Sequence, residues 1–205
     1  MQLDAVLSAV HAHCGTFLCE RISEPELTRE VSFRHRVTTP ESGVDVPAVG
    51  RLDEAYRSFG SVLFYHHEAS GDAARYLAPP SEWPRLADEL AGWLEMLDDD
   101  ELDELFPHGR DGFVVIGETP GSGNYILVPT AGSMAGHVIE FDHDGFELSA
   151  VAGDMVQYIA AMLAPDAGRL TDFASHMRFI EGSSMEQWWI REMRDNAGNR
   201  VTTSE

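Results

Sequence analysis

The chain has 205 residues, of which 43% are hydrophobic and 24% charged, and 35 acidic residues against 14 basic ones give a formal net charge of −21. This composition excludes a disordered chain and predicts a compact domain with its own core, and no apolar run reaches the roughly 18–20 residues of a membrane span. All the basic residues are Arg, which excludes enzymes that need a P-loop, Schiff-base or kinase-type lysine and disfavours nucleic acid or an anionic membrane as a partner.

The first residues lack the basic stretch of a signal peptide, and no long apolar segment follows them. Cys14 and Cys19 have neither the C-x-x-C spacing nor the second pair that a structural zinc site needs. We therefore expect a cytoplasmic protein whose cysteines are small, buried or half-buried hydrophobic residues.

The N-terminal residues 1–51 are predicted to form a helical extension and a connection. Apolar residues at helical spacing predict a helix over residues 3–22 with a break near Gly15. Residues 23–50 are polar and contain several Pro and Gly residues, which predicts a connection with one short strand around Val31–Val37.

Residues 52–165 carry the sharpest hydrophobic pattern and are predicted to be the core domain. A short helix ends at Gly60, and residues 61–65 and 74–77 are predicted as paired strands. Ser81 is the expected N-cap of an amphipathic helix that continues to Leu97.

Four further strands are predicted in close succession, at residues 113–116, 125–128, 137–141 and 146–148. Hairpins this short require antiparallel pairing, because parallel neighbours need long crossovers. A helix capped by Asp154 follows and ends before Pro165.

The C-terminal segment 166–194 is predicted to pack on the core. Trp188 and Trp189 are expected on a helix, and since adjacent helical residues diverge by ~100°, core packing is favoured over a ligand platform. Residues 195–205 are predicted to be a frayed tail.

The most acidic segment is the candidate binding site. Seven of the ten residues from Glu95 to Glu104 are Asp or Glu, and Leu102, Leu105 and Phe106 predict a short helix that turns these charges outward. The segment is either a solvated helix face or a docking surface for a cationic protein, and the self-repulsion of dense like charge is an argument for function. The candidate partner-binding residues are Asp98, Asp99, Asp100, Glu101, Asp103 and Glu104.

Other motifs that suggest chemistry are predicted to be structural. The Gly-rich loop 121–124 returns directly into a strand, whereas a phosphate cradle opens a helix. Residues 142–145 have the Asp and Gly that a hairpin turn prefers, without the remaining ligands of a calcium loop. The sequence contains no Gly-x-Ser-x-Gly elbow. We therefore predict no cofactor, no metal site and no enzymatic activity.

Three pieces of the core resemble the SUKH superfamily, which includes the yeast cell-wall-assembly regulators of the Smi/Knr type and many bacterial immunity proteins. They are the strand 113–118 with its Ile-Gly, the Gly-Asn turn and strand 121–128, and the segment 137–145 with its Val-x-x-x-Asp-His-Asp turn. Upstream, residues 56–60 and the strand around 64–65 resemble the early helix, Gly turn and first strand of the family. The resemblance covers roughly residues 52–165 and includes no catalytic signature.

The resemblance implies an α+β fold, with a twisted antiparallel sheet of about four to six strands flanked by helices. It also implies an immunity-type protein that neutralises a cognate toxin, often a nuclease, and the acidity of this chain suits a basic toxin. Two alternatives stay open. One is a housekeeping interaction module of the cell-wall-assembly-regulator type, and the other is a small-molecule binder that uses the Gly-rich hairpin loops.

Overall fold

A computed structural model describes residues 2–106, 109 and 112–204, and shows an α+β fold built on one antiparallel sheet. The described residues form six α-helices: α1 (Leu3–Ala12), α2 (Leu52–Tyr56), α3 (Trp83–Leu94), α4 (Asp99–Leu105), α5 (Met155–Met162) and α6 (Ala167–His176). They form ten strands: β1 (Cys14–Arg21), β2 (Glu24–Val37), β3 (Val62–His66), β4 (Arg75–Leu77), β5 (Phe113–Thr119), β6 (Asn124–Pro129), β7 (Val138–Asp142), β8 (Glu147–Ala152), β9 (Trp188–Asp195) and β10 (Arg200–Thr202). The predicted fold class is confirmed, but the predicted four to six strands are too few.

The sheet is a long meander, and a C-terminal hairpin extends it at one end. Its strand order is β10-β9-β1-β2-β3-β4-β5-β6-β7-β8, so each strand from β1 to β7 pairs with the next strand along the chain. Strand β9 returns to pair with β1, which brings the two ends of the chain together in one half of the sheet. Strands β8 and β10 are its edges.

The N-terminal region differs from its prediction because residues 14–37 form a hairpin. Helix α1 ends at Ala12, and Phe17 of β1 lies opposite Val31 of β2. Phe17, Val31 and Phe33 are buried, as expected for alternate residues on the inner face of paired strands. The apolar residues after Gly15 therefore belong to a strand pattern, and the predicted helix over 3–22 is wrong in its second half.

The C-terminal segment also forms strands where a helix and a frayed tail were predicted. Trp188 and Trp189 are neighbours on β9, so their side chains point to opposite faces of the sheet. Trp188 is buried beneath the guanidinium of Arg29, which lies 4.4 Å from the centre of its ring, and Trp189 is half-buried. Residues 200–202 pair with β9.

The helices pack against different parts of the sheet. Helix α3 lies against β5, α5 against β8, and α6 against β9 and β10. A 3₁₀ turn over Pro80–Glu82 precedes α3, so Ser81 is not its N-cap and instead binds Glu41 through its amide and hydroxyl, at 3.0 and 2.6 Å. Within the described ranges, no helix is both long enough and apolar enough to cross a bilayer.

Candidate functional site

The six predicted partner-binding carboxylates all lie on α4 or at its N-cap. The Oδ1 atom of Asp98 accepts a hydrogen bond from the Glu101 backbone N–H at 2.9 Å, and the Oε2 atom of Glu101 accepts one from the Asp98 N–H at 3.0 Å. This reciprocal capping box satisfies two backbone donors and fixes where the helix begins. Acidic residues in the first turn also interact favourably with the helix dipole. Local sequence is thus sufficient to explain α4.

The carboxylates of α4 are available to a partner. All six are exposed, and within the part of the chain that the structure describes none of them forms an ion pair with an Arg or His side chain. Helix α3 is different, because its Arg85 lies 2.7 Å from Glu89 and 3.1 Å from Glu82. The charge of α3 is therefore partly balanced by Arg85, whereas the charge of α4 has no such balance among the described residues.

Helix α4 forms one wall of an apolar cavity of about 350 Å³, which we name the α4 cavity. The helix side consists of Glu104, Leu105 and Phe106. Strands β5 to β8 and the loop that follows β6 supply the other walls, mainly through Phe113, Leu127, Met134, Ile139, Leu148 and Ala150. An acidic helix and an apolar hollow therefore share a border at Glu104.

The described residues leave the apolar surface beneath α4 incompletely covered. All seven residues of the helix are exposed or half-buried, with Leu102 and Leu105 half-buried on its inner side. Phe106 anchors the end of the helix by stacking on Phe113, with ring centroids 4.7 Å apart. Met134, in the wall of the cavity, is 37% exposed. Sequence reasoning missed this cavity, because its walls come from several separate segments and no local motif marks it.

A buried histidine pair is the first of two polar clusters inside the sheet. The Tyr65 backbone N–H donates to His35 Nδ1 at 3.0 Å, so a neutral His35 carries its proton on Nε2 and donates it to His13 Nδ1 at 2.7 Å. His13 Nε2 then donates to Asp195 at 3.1 Å. All four ring nitrogens are engaged within the protein, so the cluster holds strands together and has no nitrogen left for a substrate proton.

The second cluster surrounds Arg75, which is 3% exposed. Its guanidinium donates to Glu140 at 3.4 Å, to Asp172 and to the Ala74 carbonyl oxygen, and Tyr158 also donates to Glu140. Burial lowers the pKa of Arg75, but the two carboxylates outweigh it and raise that pKa above its ordinary value. These partners account for the buried charge, so the cluster is structural.

The hydrogen bonds of residues 142–144 are those of an ordinary hairpin turn. The ligand atoms of Asp142, His143 and Asp144 lie within 4.8 Å of one another. However, Asp142 accepts a hydrogen bond from the Asp144 N–H, and His143 donates from its backbone and Nδ1 to the side-chain oxygen of Asn124, at 3.1 and 2.7 Å. These bonds within the turn and to Asn124 of β6 account for its structure, and the absence of a metal remains a prediction.

The Gly-rich loop between β5 and β6 is also explained by packing. It joins two antiparallel strands, as predicted, and opens no helix in the described chain. Gly123 has a φ of +87°, and a Cβ atom there would press on Trp93 and His143, whose rings lie 4.6 Å apart. Glycine is therefore required at this position for the close contact between the loop and α3.

Comparison with known proteins adds no relative. No protein-family model, no curated protein and no solved structure matches this chain. The resemblance to the SUKH superfamily therefore stays a prediction.

Proposed function

We propose that this chain is a non-enzymatic immunity-type protein, which binds a basic toxin in the cytoplasm and neutralises it by stoichiometric docking on α4. The observation that carries the proposal is the set of six exposed carboxylates on one short helix, without basic partners among the described residues. A protein bears the self-repulsion of such a cluster at a cost in stability, and a cationic partner relieves that cost.

Electrostatics favour a basic protein over other partners. A net charge of −21 repels nucleic acid and anionic membranes, and it attracts a cationic protein over long range. At contact, toxin Arg and Lys side chains would pair with the carboxylates of α4 and so cover the active site or substrate groove of the toxin. The resemblance to immunity proteins supports a toxin as the basic partner.

The buried polar clusters support a binding protein more than an enzyme. The ring nitrogens of His13 and His35 are occupied, and Arg75 is neutralised by Glu140 and Asp172. A general base needs a nitrogen or oxygen that can reach the substrate proton. The non-enzymatic proposal is supported by this engagement of the titratable groups within the two buried clusters.

The test is a growth assay in which the chain is expressed together with the product of its neighbouring gene. We expect the chain to rescue cells from that product. The quadruple variant D99N/D100N/D103N/E104Q should abolish rescue, because it removes four carboxylates and keeps the capping box of Asp98 and Glu101 intact. The matched control D4N/E26Q/E30Q/D45N removes four exposed carboxylates on other segments and should still rescue.

Two outcomes would contradict parts of the proposal. Rescue by the quadruple variant, with its fold verified by circular dichroism, would keep the immunity function and reject α4 as the interface. A neighbouring product that is harmless and does not bind the chain would reject the immunity function and favour the housekeeping interaction module.

A further inference from the structure

The α4 cavity has the form of an anchor site for one large side chain. Its volume of about 350 Å³ lies at the small end of the ~300–1,000 Å³ range of ligand pockets. Ligand pockets orient a small molecule through several placed polar groups, whereas the walls here are mainly apolar, with Glu104 and Ser133 as the polar side chains. This arrangement suits an apolar group more than a polar metabolite.

The packing of α4 leaves a place for such a group. Leu105 is half-buried in the wall that α4 supplies, and Leu148 of the edge strand β8 is half-buried on the opposite wall. A side chain inserted between them would complete the burial of these residues, which a solvated cavity leaves unfinished. The helix end at Phe106 is already packed on Phe113, so the cavity keeps its wall when it is filled.

The charge at the border of the cavity indicates which residues of the partner would flank that side chain. Glu104 lines the cavity, and the other five carboxylates lie on the same short helix. Protein interfaces concentrate their binding energy in a buried apolar or aromatic anchor, and the polar rim around it adds specificity. The carboxylates along this wall, which have no basic partner among the described residues, complement Arg or Lys residues next to the anchor in the partner.

We infer that the α4 cavity receives a large apolar or aromatic side chain from a basic segment of the protein partner, while the carboxylates of α4 pair with the flanking Arg or Lys residues. The inference rests on the proposed function, since it takes the same helix as the docking surface. It adds to the proposed function the chemistry of the partner segment, which is cationic and also carries one apolar anchor side chain.

Three short synthetic peptides labelled with fluorescein test this chemistry. One carries a central tryptophan between arginines, the second has serine in place of the tryptophan, and the third has glutamines in place of the arginines. Fluorescence anisotropy with the full chain gives each affinity. We expect the first peptide to bind roughly tenfold or more tightly than either of the others, as for an interface anchor, and to weaken as salt is raised from about 0.05 M to about 0.5 M.

Variants that fill the cavity locate the anchor. Ala131 and Ala150 line the cavity and are exposed, so A131F and A150F place a ring in it without replacing a core residue. Each should abolish the preference for tryptophan over serine and retain the weaker binding of the arginines. The control A5F adds a ring at an exposed position of α1 and should keep the full preference. Circular dichroism confirms the fold, and either filled variant suffices if the other fails to fold.

Several results would overturn the inference. Equal affinity for the tryptophan and serine peptides, lost in D99N/D100N/D103N/E104Q, would leave charge docking in place and reject the anchor. Equal affinity for the arginine and glutamine peptides would reject the cationic partner. Binding of none of the peptides would reject the anchor site, while the growth assay would still decide the immunity function separately.

Discussion

The Nε2 atom of His35 lies 2.7 Å from the Nδ1 atom of His13, and this hydrogen bond joins β2 to the residue that follows α1. Its direction is set by the Tyr65 backbone N–H, which donates to the other nitrogen of His35. Protonation of His35 would place a second donor against that N–H. A charged His35 is therefore incompatible with the native contacts, and burial lowers the pKa of His35 to about 3.

We expect this histidine to make the protein sensitive to mild acid. The pKa of His35 is about 3 in the folded state and near its ordinary 6.5 in the unfolded chain, so the unfolded chain binds the proton first as pH falls. The free energy of unfolding should then decrease below pH 6.5, by about 2 kcal/mol at pH 5. Urea denaturation followed by circular dichroism at pH 7 and pH 5 measures the loss.

Two variants separate His35 from the other titrating groups. H35Q keeps a donor for His13 and cannot be protonated, so its stability should fall less between pH 7 and pH 5. The control H11Q removes an exposed histidine of α1 and should show the full loss. An equal loss in H35Q and the parent chain would assign the acid sensitivity to carboxylates instead.

Arg75 should be among the most costly residues to replace. R75M removes the cation that faces Glu140 and Asp172 and leaves two carboxylates in a partly buried site. Burial raises the pKa of Asp172. The hydrogen bond from His176 and the charge of Arg75 lower this pKa by more than burial raises it, so the net shift is downward. We expect R75M to reduce the free energy of unfolding by about 3–5 kcal/mol, measured by urea denaturation at pH 7.

A combined variant tests the electrostatic cause. R75M/E140Q/D172N removes the uncompensated charges and should recover part of the stability that R75M loses. The control R57M breaks the exposed pair of Arg57 with Asp53 and should cost less than about 1 kcal/mol. If the triple variant is no more stable than R75M, lost packing of the Arg75 side chain, not charge, explains the effect.

The parts of the fold that were predicted correctly depend on local signals. Strands β5 to β8 are joined by short turns, so each strand and its partner lie close together in the sequence. The Asp154 cap of α5 is also local, with its Oδ1 atom 2.8 Å from the Gln157 backbone nitrogen. The capping box and exposed charges of α4 belong to the same class, which is why the candidate carboxylates could be named from sequence.

The parts that were missed depend on distant partners. Residues 14–21 have apolar spacing that fits a helix or a strand, and pairing with β9, from the other end of the chain, makes them a strand. The same pairing explains why Trp188 and Trp189 are in β9. Cys14, predicted to be buried or half-buried, is exposed, whereas Cys19 is buried as predicted. The α4 cavity belongs to this class too, since four strands and a loop must assemble before it exists.

A close backbone contact gives a third prediction. Gly50 and Gly136 have φ angles of +51° and +82°, and a Cβ atom on either would overlap the backbone of the other. The Gly50 carbonyl oxygen also accepts the Met155 N–H at 3.0 Å, so a shift at this contact would disturb the start of α5. We expect G50A to lower the free energy of unfolding by about 3 kcal/mol or more, from the positive φ and the overlap together.

Gly71 supplies the control for the dihedral angle alone. Its φ is +81°, and a Cβ atom there would meet no atom within 4 Å in the described structure. G71A should therefore cost only the ~1 kcal/mol of a left-handed alanine. Equal losses in G50A and G71A, measured by urea denaturation, would show that the contact between the two loops is loose enough to open.

The last prediction concerns the helix on which the proposed function depends. D98A removes the acceptor for the Glu101 N–H and should cost about 1 kcal/mol locally, whereas D98N keeps an acceptor and should resemble the parent chain. Hydrogen exchange read by mass spectrometry on a peptide covering α4 measures this, with exchange several-fold faster in D98A. Because D98A and D98N remove the same charge, comparing their partner binding separates the order of the helix from its electrostatics. If D98A binds the partner more weakly and D98N does not, the partner recognises carboxylates that are held in place by the helix. Equal binding by the two variants would show that charge density, without helical order, is what the partner recognises.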